Sequence, residues 1–344
     1  MQLSERKRKI LKVIISDYIR TAEPVGSKTL AERHALPFSS ATIRNEMSEL
    51  EAMGYLEKPH ASAGRVPSPK GYRLYVDELM DLPEGANVDS LSAQMLQLRV
   101  REFDRLIEEV GKLISDLTNY VSIAITPTLS QISIRRFEII PINSMDFVVV
   151  VVMESGSVKN KMIRTVAEVP IKEVDLLVYV LNQTLTGVQL SNITAERFDI
   201  VCRAAGMSPL IAPIAEYISE LIEELSDQKI FLEGANKLLR FPEYKDLQKA
   251  RALLDYIEDD KKHLLPVNRK FDGVQFFIGP ENGENPLGEA STIYAKYNIG
   301  SIGQGAIGIV GPIRMDYARL SAQLSQFAKQ LNQLIAETFF NQQE

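Results

Sequence analysis

Residues Ser39–His60, "SSATIRNEMSELEAMGYLEKPH", have the outline of a DNA-reading helix running into the first arm of a hairpin, yet the helical half carries more acid than base. Between Ser39 and Tyr55, Arg44 is the single basic residue against Glu46, Glu49 and Glu51. A helix built to meet a polyanion must hold those acids off the approaching face. At about 100° per residue, Ile43, Met47 and Leu50 form one apolar stripe. The opposite face presents Ala41, Thr42, Asn45, Ser48 and Glu49, and Glu46 turns toward the core side. The N-terminal residues of a recognition helix meet base edges, which puts Ala41, Thr42 and Asn45 in the reading positions. Asn pairs with adenine in two bonds, Thr offers a hydroxyl or a methyl, and Arg44 on the flank reaches guanine or phosphate. A plain amphipathic core helix fits the same stripe, so the flanking sequence decides.

Upstream, apolar Ile10, Leu11, Ile14, Ile15, Tyr18 and Ile19 make one face of a helix over Leu3–Thr21, with Arg6, Lys7, Arg8 and Lys9 in its first turns. Pro24 ends it. Ser27 is placed to cap a short second helix through Arg33, Pro37 breaks the chain, and Ser39 or Ser40 caps the third helix. After Gly54, "YLEKPHASAGRVP" reads as two extended arms around a small-residue turn. Three helices and a hairpin in this order make a winged helix. Cations flank the neutral reading face: Arg6 to Lys9, Lys28 at the start of the second helix, and Lys58, His60 and Arg65 around the hairpin. Phosphate contacts position a reader without specifying sequence, so a basic rim of this kind is what the reading face requires. The candidate DNA-binding residues are therefore Lys28, Ser40, Ala41, Thr42, Arg44, Asn45, Ser48, Lys58, His60 and Arg65.

Charge divides the chain the same way. Met1–Val76 holds 13 Lys and Arg against 8 Asp and Glu, a net of +5; Asp77–Glu344 holds 26 against 37, a net of -11. A basic head on an acidic body suits a DNA-binding module joined to a regulatory or dimerising part. With 344 residues the chain fits two or three domains. Its longest apolar run, Phe147–Met153, falls far short of the roughly 18 residues that span a bilayer, and Met1–Lys12 begins polar and charged, so a cytoplasmic protein with no membrane partner is expected. A single cysteine, Cys202, forms no internal disulfide, and His34, His60 and His263 lack metal-ligand spacing. No metal and no cofactor is expected.

Beyond a linker over 81–92, containing Pro83 and Gly85, a long helix carries the stripe Met95, Leu98, Leu106, Val110, Leu113 and Leu117. The C-terminal stripe Leu320, Leu324, Phe327, Leu331 and Leu334 is similar, and each stripe fits a core face or a dimer seam. Strand patterns occupy Ile132–Ile140, the run from Phe147, Val158–Val166, Val274–Ile278, Ser291–Tyr297 and Ala306–Val310. Helical patterns at Ile171–Leu185 and Ile211–Leu225, and the stretch Lys229–Leu265, separate the two strand groups. One sheet interrupted by a mostly helical insertion is the simplest arrangement; three consecutive domains also fit.

Two stretches invite an enzyme reading. "GQGAIG", Gly303–Gly308, matches G-x-G-x-x-G, but a dinucleotide fingerprint must open a helix and here strand residues resume at Ala306. "GSKT", Gly26–Thr29, lacks the earlier glycine and the Gly-Lys pair of a phosphate loop. No nucleophile and base grouping points to catalysis. A regulator with a metabolite beside the glycine-rich loops Pro280–Gly288 and Gly300–Gly311 is the alternative reading.

The segment Glu23–Met80, from "EPVGSKTLAERHALPFSSATIRNEM" through "RVPSPKGYRLYVDELM", resembles the HrcA family of heat-inducible transcription repressors, and "GAIGIVGPIRMDY", Gly305–Tyr317, resembles that family's second hallmark. Ser68 stands where a threonine is expected, and the hydroxyl is kept. The resemblance implies an α+β multidomain chain: a winged helix-turn-helix over 1–80, a GAF-like α/β domain over 93–190 and 270–344, and a mostly helical dimerisation domain inserted at 191–269. It places the reader at Ser40–Glu51 and the wing at Glu57–Val66. It further implies a homodimer that represses chaperone operons from an inverted-repeat operator on double-stranded DNA, with activity dependent on the chaperonin.

Overall fold

A computed structural model describes residues 3–34, 36–60, 63–81, 103–127, 132–154, 156–206, 208–226, 228–259, 273–299 and 303–340. In the head, helix α1 (Glu5–Thr21) starts where the Ser4 hydroxyl accepts from the Lys7 N–H, and buries Ile10, Leu11, Ile14 and Ile15 completely. Each such side chain contributes about 1.5–3 kcal/mol of burial. The helix stops at Ala22, held at φ 57° with its N–H on the Tyr18 carbonyl, two residues before Pro24. Helix α2 (Ser27–Arg33) and helix α3 (Ser40–Ala52) follow, and Ile43, Met47 and Leu50 of α3 are the buried stripe. Gly54 at φ 79° turns the chain into β1 (Leu56–Glu57), which pairs antiparallel with β2 (Val66–Pro67). Helix α4 (Pro69–Leu74) begins at Ser68, whose buried hydroxyl accepts from the Gly71 N–H at 3.1 Å and donates to the Gly54 carbonyl at 2.6 Å. A wider turn, Tyr75–Leu79, continues it. Helix, helix, helix and wing stand in the expected order.

The linker expected at 81–92 lies, apart from Asp81, outside the described residues, as do Met95 and Leu98 of the long stripe. Helix α5 (Phe103–Thr118) buries Leu106 and Val110 and leads into β3 (Val121–Ile125). Next come β4 (Ile134–Pro141), β5 (Asp146–Met153), β6 (Val158–Arg164), α6 (Ile171–Leu185), α7 (Ala195–Ala205) and α8 (Ile211–Ser226). The chain closes with β7 (Ile230–Glu233), α9 (Leu247–Asp259), β8 (Val274–Ile278), β9 (Ala290–Ile299), β10 (Gly303–Pro312) and α10 (Tyr317–Ile335).

The single interrupted sheet is not what forms. β7-β3-β10-β9-β8 make one antiparallel sheet, and β4-β5-β6 make a second, with Ile134 of β4 also bridging Thr186. Strands on both sides of residues 126–229 join the first sheet, because β7 pairs with β3 from Ser122↔Glu233 to Ile125↔Ile230. The break in that sheet therefore holds β4 to β6 as well as helices, and does not start at 191. Its two faces follow the strand alternation. Val121, Ile123 and Ile125 join Leu238, Tyr244, Leu253 and Ile257 on one side, while Ala124, Ile307 and Ile309 join α5 and α10 on the other. Leu320, Leu324, Phe327 and Leu331 are wholly buried within the one chain, so the C-terminal stripe is a core face.

Head and body meet across a polar and aromatic seam. Arg73 of α4 pairs with Glu281 and donates to the Phe276 carbonyl at 2.9 Å. Arg314, paired with Glu243, donates to the Ile19 carbonyl at the end of α1 at 3.2 Å. Between them the Tyr72 and Tyr317 rings lie 5.7 Å apart.

Candidate nucleic-acid interface

The site grows from α3. The Ser39 hydroxyl accepts from the Thr42 N–H at 3.1 Å and fixes where the helix begins. Three buried apolar residues then set its rotation, and Ala41, Arg44, Asn45 and Ser48 come out exposed on one side. Thr42 is half-buried with its hydroxyl 2.9 Å from that of Ser39. Ser48 donates to the Arg44 carbonyl at 3.1 Å. The Ser40 hydroxyl sits 3.3 Å from that of buried Ser27, so it faces the helix-turn-helix corner and not the open side. Lys28 is exposed, 3.9 Å from Glu32 one turn on; Lys58 and His60 are exposed on the first arm of the wing.

The acids of α3 are each held by a cation from another element. Lys7 reaches Glu46 at 2.9 Å and Glu49 at 2.8 Å, and Arg6 reaches Glu46 at 3.4 Å. Hydrogen bonds to Glu49 first and Glu46 second hold the Lys7 ammonium above its usual pKa. Arg65 meets Glu51 at 2.7 Å with only 14% of its side chain exposed. Arg8 pairs with Glu78. Arg6, Lys7, Arg8 and Arg65 therefore serve ion pairs within the head. Of the basic candidates, Lys28, Arg44, Lys58 and His60 are exposed. Sequence reasoning missed these pairs because Arg6 and Glu46 stand 40 residues apart, where no helical spacing rule applies. The arrangement can do what its chemistry allows: present a small, uncharged face to base edges while neighbouring cations hold the phosphates.

The glycine-rich stretches are occupied by the chain itself. A Cβ on Gly305 would lie 2.2 Å from Cζ of Tyr297, and one on Gly308 would lie 2.5 Å from Cδ1 of Tyr294. These glycines make room for buried tyrosine rings on β9. In the loop Pro280–Gly288, the Asn282 amide donates to the carbonyls of Phe277, Gly279 and Ala290, and that of Asn285 donates to the carbonyl of Asn282.

A three-helix head with a two-stranded wing and an exposed, capped third helix defines a winged-helix DNA-binding regulator. Comparison with known proteins sharpens the class. A family described as "Winged helix-turn-helix transcription repressor, HrcA DNA-binding" matches residues 2–78, and "HrcA protein C terminal domain" matches residues 104–320. The heat-inducible transcription repressor HrcA of Ruminiclostridium cellulolyticum is 38% identical over 351 residues, covering 99% of this chain and all of that protein. That of Brevibacillus brevis is 35% identical over 341 residues, covering 98% and 99%. The chain belongs to the HrcA family of heat-inducible transcription repressors. A crystal structure described as a hypothetical protein superposes with a TM-score of 0.66 at 24% identity, covering 98% of this chain and all of that one, and shares the fold. Among the described residues no helix is long and apolar enough to cross a membrane.

Proposed function

We propose that the chain represses chaperone operons in the cytoplasm by binding an inverted-repeat operator as a homodimer. The observation that carries this is the exposed face of α3, where Ala41, Asn45 and Ser48 are uncharged, Arg44 flanks them and Glu49 is held by Lys7, with Lys28 and Lys58 exposed on α2 and the wing. Thr42 reads with its methyl, since its hydroxyl is engaged by Ser39. Lys28, Lys58 and His60 contact phosphates. Two-fold symmetry of the protein then matches two-fold symmetry of the site.

The body divides into a GAF-like unit, built on the five-stranded sheet with α5, α9 and α10, and an inserted dimerisation unit over residues 126–229. The insertion's outer sheet face carries an apolar strip that suits a second copy: Ile140, Val148 and Met162 stand in one row across its strands, with Val150, Val152 and Val158 beside them and the Arg136–Glu138 pair and Asn160 interspersed. Ile140, Val158 and Met162 are 51%, 55% and 66% exposed. Dependence on the chaperonin follows from marginal stability, as a repressor helped to its active fold fails when chaperonins are occupied by other clients.

Footprinting on the region upstream of a chaperone operon is the direct test. Protection of two half-sites related by a two-fold axis is expected. A single unsymmetric patch, or none, would remove the dimeric reading. Refolding with and without chaperonin in equal active yield would remove the dependence.

A further inference from the structure

The geometry points to Arg65 as a positioning residue for the recognition helix, acting through Glu51 and not through phosphate. This rests on the DNA-binding reading of α3 and reassigns one residue of its basic rim. Arg65 ties three parts of the head together. Its N–H donates to the Val25 carbonyl and its carbonyl accepts from the Val25 N–H, both at 2.9 Å, beside the start of α2. Gly64 permits that approach, since a Cβ there would lie 2.4 Å from the Val25 oxygen. Its neighbour Val66 pairs with Glu57 in the wing, and its own guanidinium holds Glu51 in the last turn of α3 at 2.7 Å.

The guanidinium Nε is buried and bonds to nothing within the head. With only 14% of its side chain exposed, Arg65 is poorly placed for a phosphate, and drawing the guanidinium outward would weaken its pair with Glu51. The acid would then stand uncompensated beside a polyanion. In place on Glu51, Arg65 instead cancels that acid and fixes the angle between wing and α3. Lys7 does the same for Glu46 and Glu49 from the other side. A recognition helix with three acids thus meets DNA because cations of neighbouring elements hold those acids.

The test uses the full chain, the duplex that the wild-type protein enriches from a random-sequence pool, and a random duplex of equal length. Arg65→Met is expected to weaken both on the order of tenfold. The slope of log affinity against log salt should stay at the wild-type value. Glu51→Gln alone should weaken both to a similar extent, and combining it with Arg65→Met should add little, because each substitution removes the same tie. A phosphate contact gives a different pattern: the slope falls by about 0.9, and Glu51→Gln alone tightens binding. That pattern overturns the inference and leaves the DNA-binding reading standing. If the wild-type chain enriches no duplex, both fall. Should Arg65→Met unfold the head by circular dichroism, the neutral pair Arg65→Gln and Glu51→Gln carries the same comparison.

Discussion

The head and the five-stranded sheet solve their local conflicts by different physics. On α3 the conflict is one of charge, and Lys7 and Arg65, both largely covered, settle it by holding Glu46, Glu49 and Glu51 in ion pairs of 2.7 to 2.9 Å. On β9 and β10 the conflict is one of space. Wholly buried Tyr297 and nearly buried Tyr294 lie where side chains at Gly305 and Gly308 would stand. Surface ion pairs contribute little to stability, whereas interiors pack at crystal-like density. Changes to the head's exposed charges, such as Lys58, should therefore alter affinity with little effect on folding, and size changes in the sheet should do the reverse.

The largest expected effect tests the sheet. Gly308→Val puts a branched side chain against Cδ1 and Cε1 of Tyr294 at 2.5 and 2.8 Å and against the Ile293 carbonyl at 2.9 Å. Neither a ring packed in the core nor a strand backbone can give way cheaply. A loss of roughly 3 kcal/mol or more is expected, read as a lower urea midpoint at unchanged slope. An unchanged midpoint would mean that the glycines are there for another reason.

The head is tested next. Asn45→Ala should cost roughly 1 to 3 kcal/mol of operator affinity and relax the preference at one base pair in each half-site. Its melting temperature should not move, since Asn45 is exposed. Equal loss for operator and random DNA would make Asn45 a backbone contact. Lys58→Ala is the complementary case. It should weaken every duplex alike and reduce the salt slope by about 0.9. A gel-shift titration at several salt concentrations separates the two, and unchanged affinity in both variants would remove α3 and the wing from the interface.

The same contrast explains what was legible in the sequence. The α3 stripe, the Ile171–Leu185 helix and the strand from Phe147 could be read because each buries residues at the period of its own backbone. β3 escaped notice. Its inner face carries only Ser122 and Ala124, kept small because α5 comes close: the Ser122 hydroxyl donates to the Gly111 carbonyl at 2.6 Å, and a Cβ on Gly111 would lie 3.3 Å from that of Ala124. A strand of five residues buried on both faces, with small residues on the side that admits a helix, is too short to stand apart from the apolar helix before it. Periodicity also carries no information about pairing, so the division into two sheets had to come from coordinates. The acid clamps were hidden for the same reason, since Arg6 meets Glu46 across 40 residues.

The smallest effect falls where the two kinds of conflict meet. Glu233, on edge strand β7, projects toward α5 with its Cγ 3.8 Å from where a Gly111 Cβ would lie. Partial burial raises its carboxyl pKa; Lys112 opposes the shift, and Glu108, Glu109 and Asp116 add to it. The sign follows from proton linkage. The folded chain holds this proton more firmly than the unfolded chain, so folding is favoured at pH below both values. That advantage is lost as pH rises through the unfolded and then the folded pKa, and at neutral pH the buried carboxylate is a net cost. Glu233→Gln removes the cost and should raise the melting temperature at pH 7 by about a degree. At acid pH, where the wild-type carboxyl is protonated, the two proteins should melt together. A difference that stays constant across the carboxylate range would show that packing of the amide, and not the charge, sets the stability of this edge.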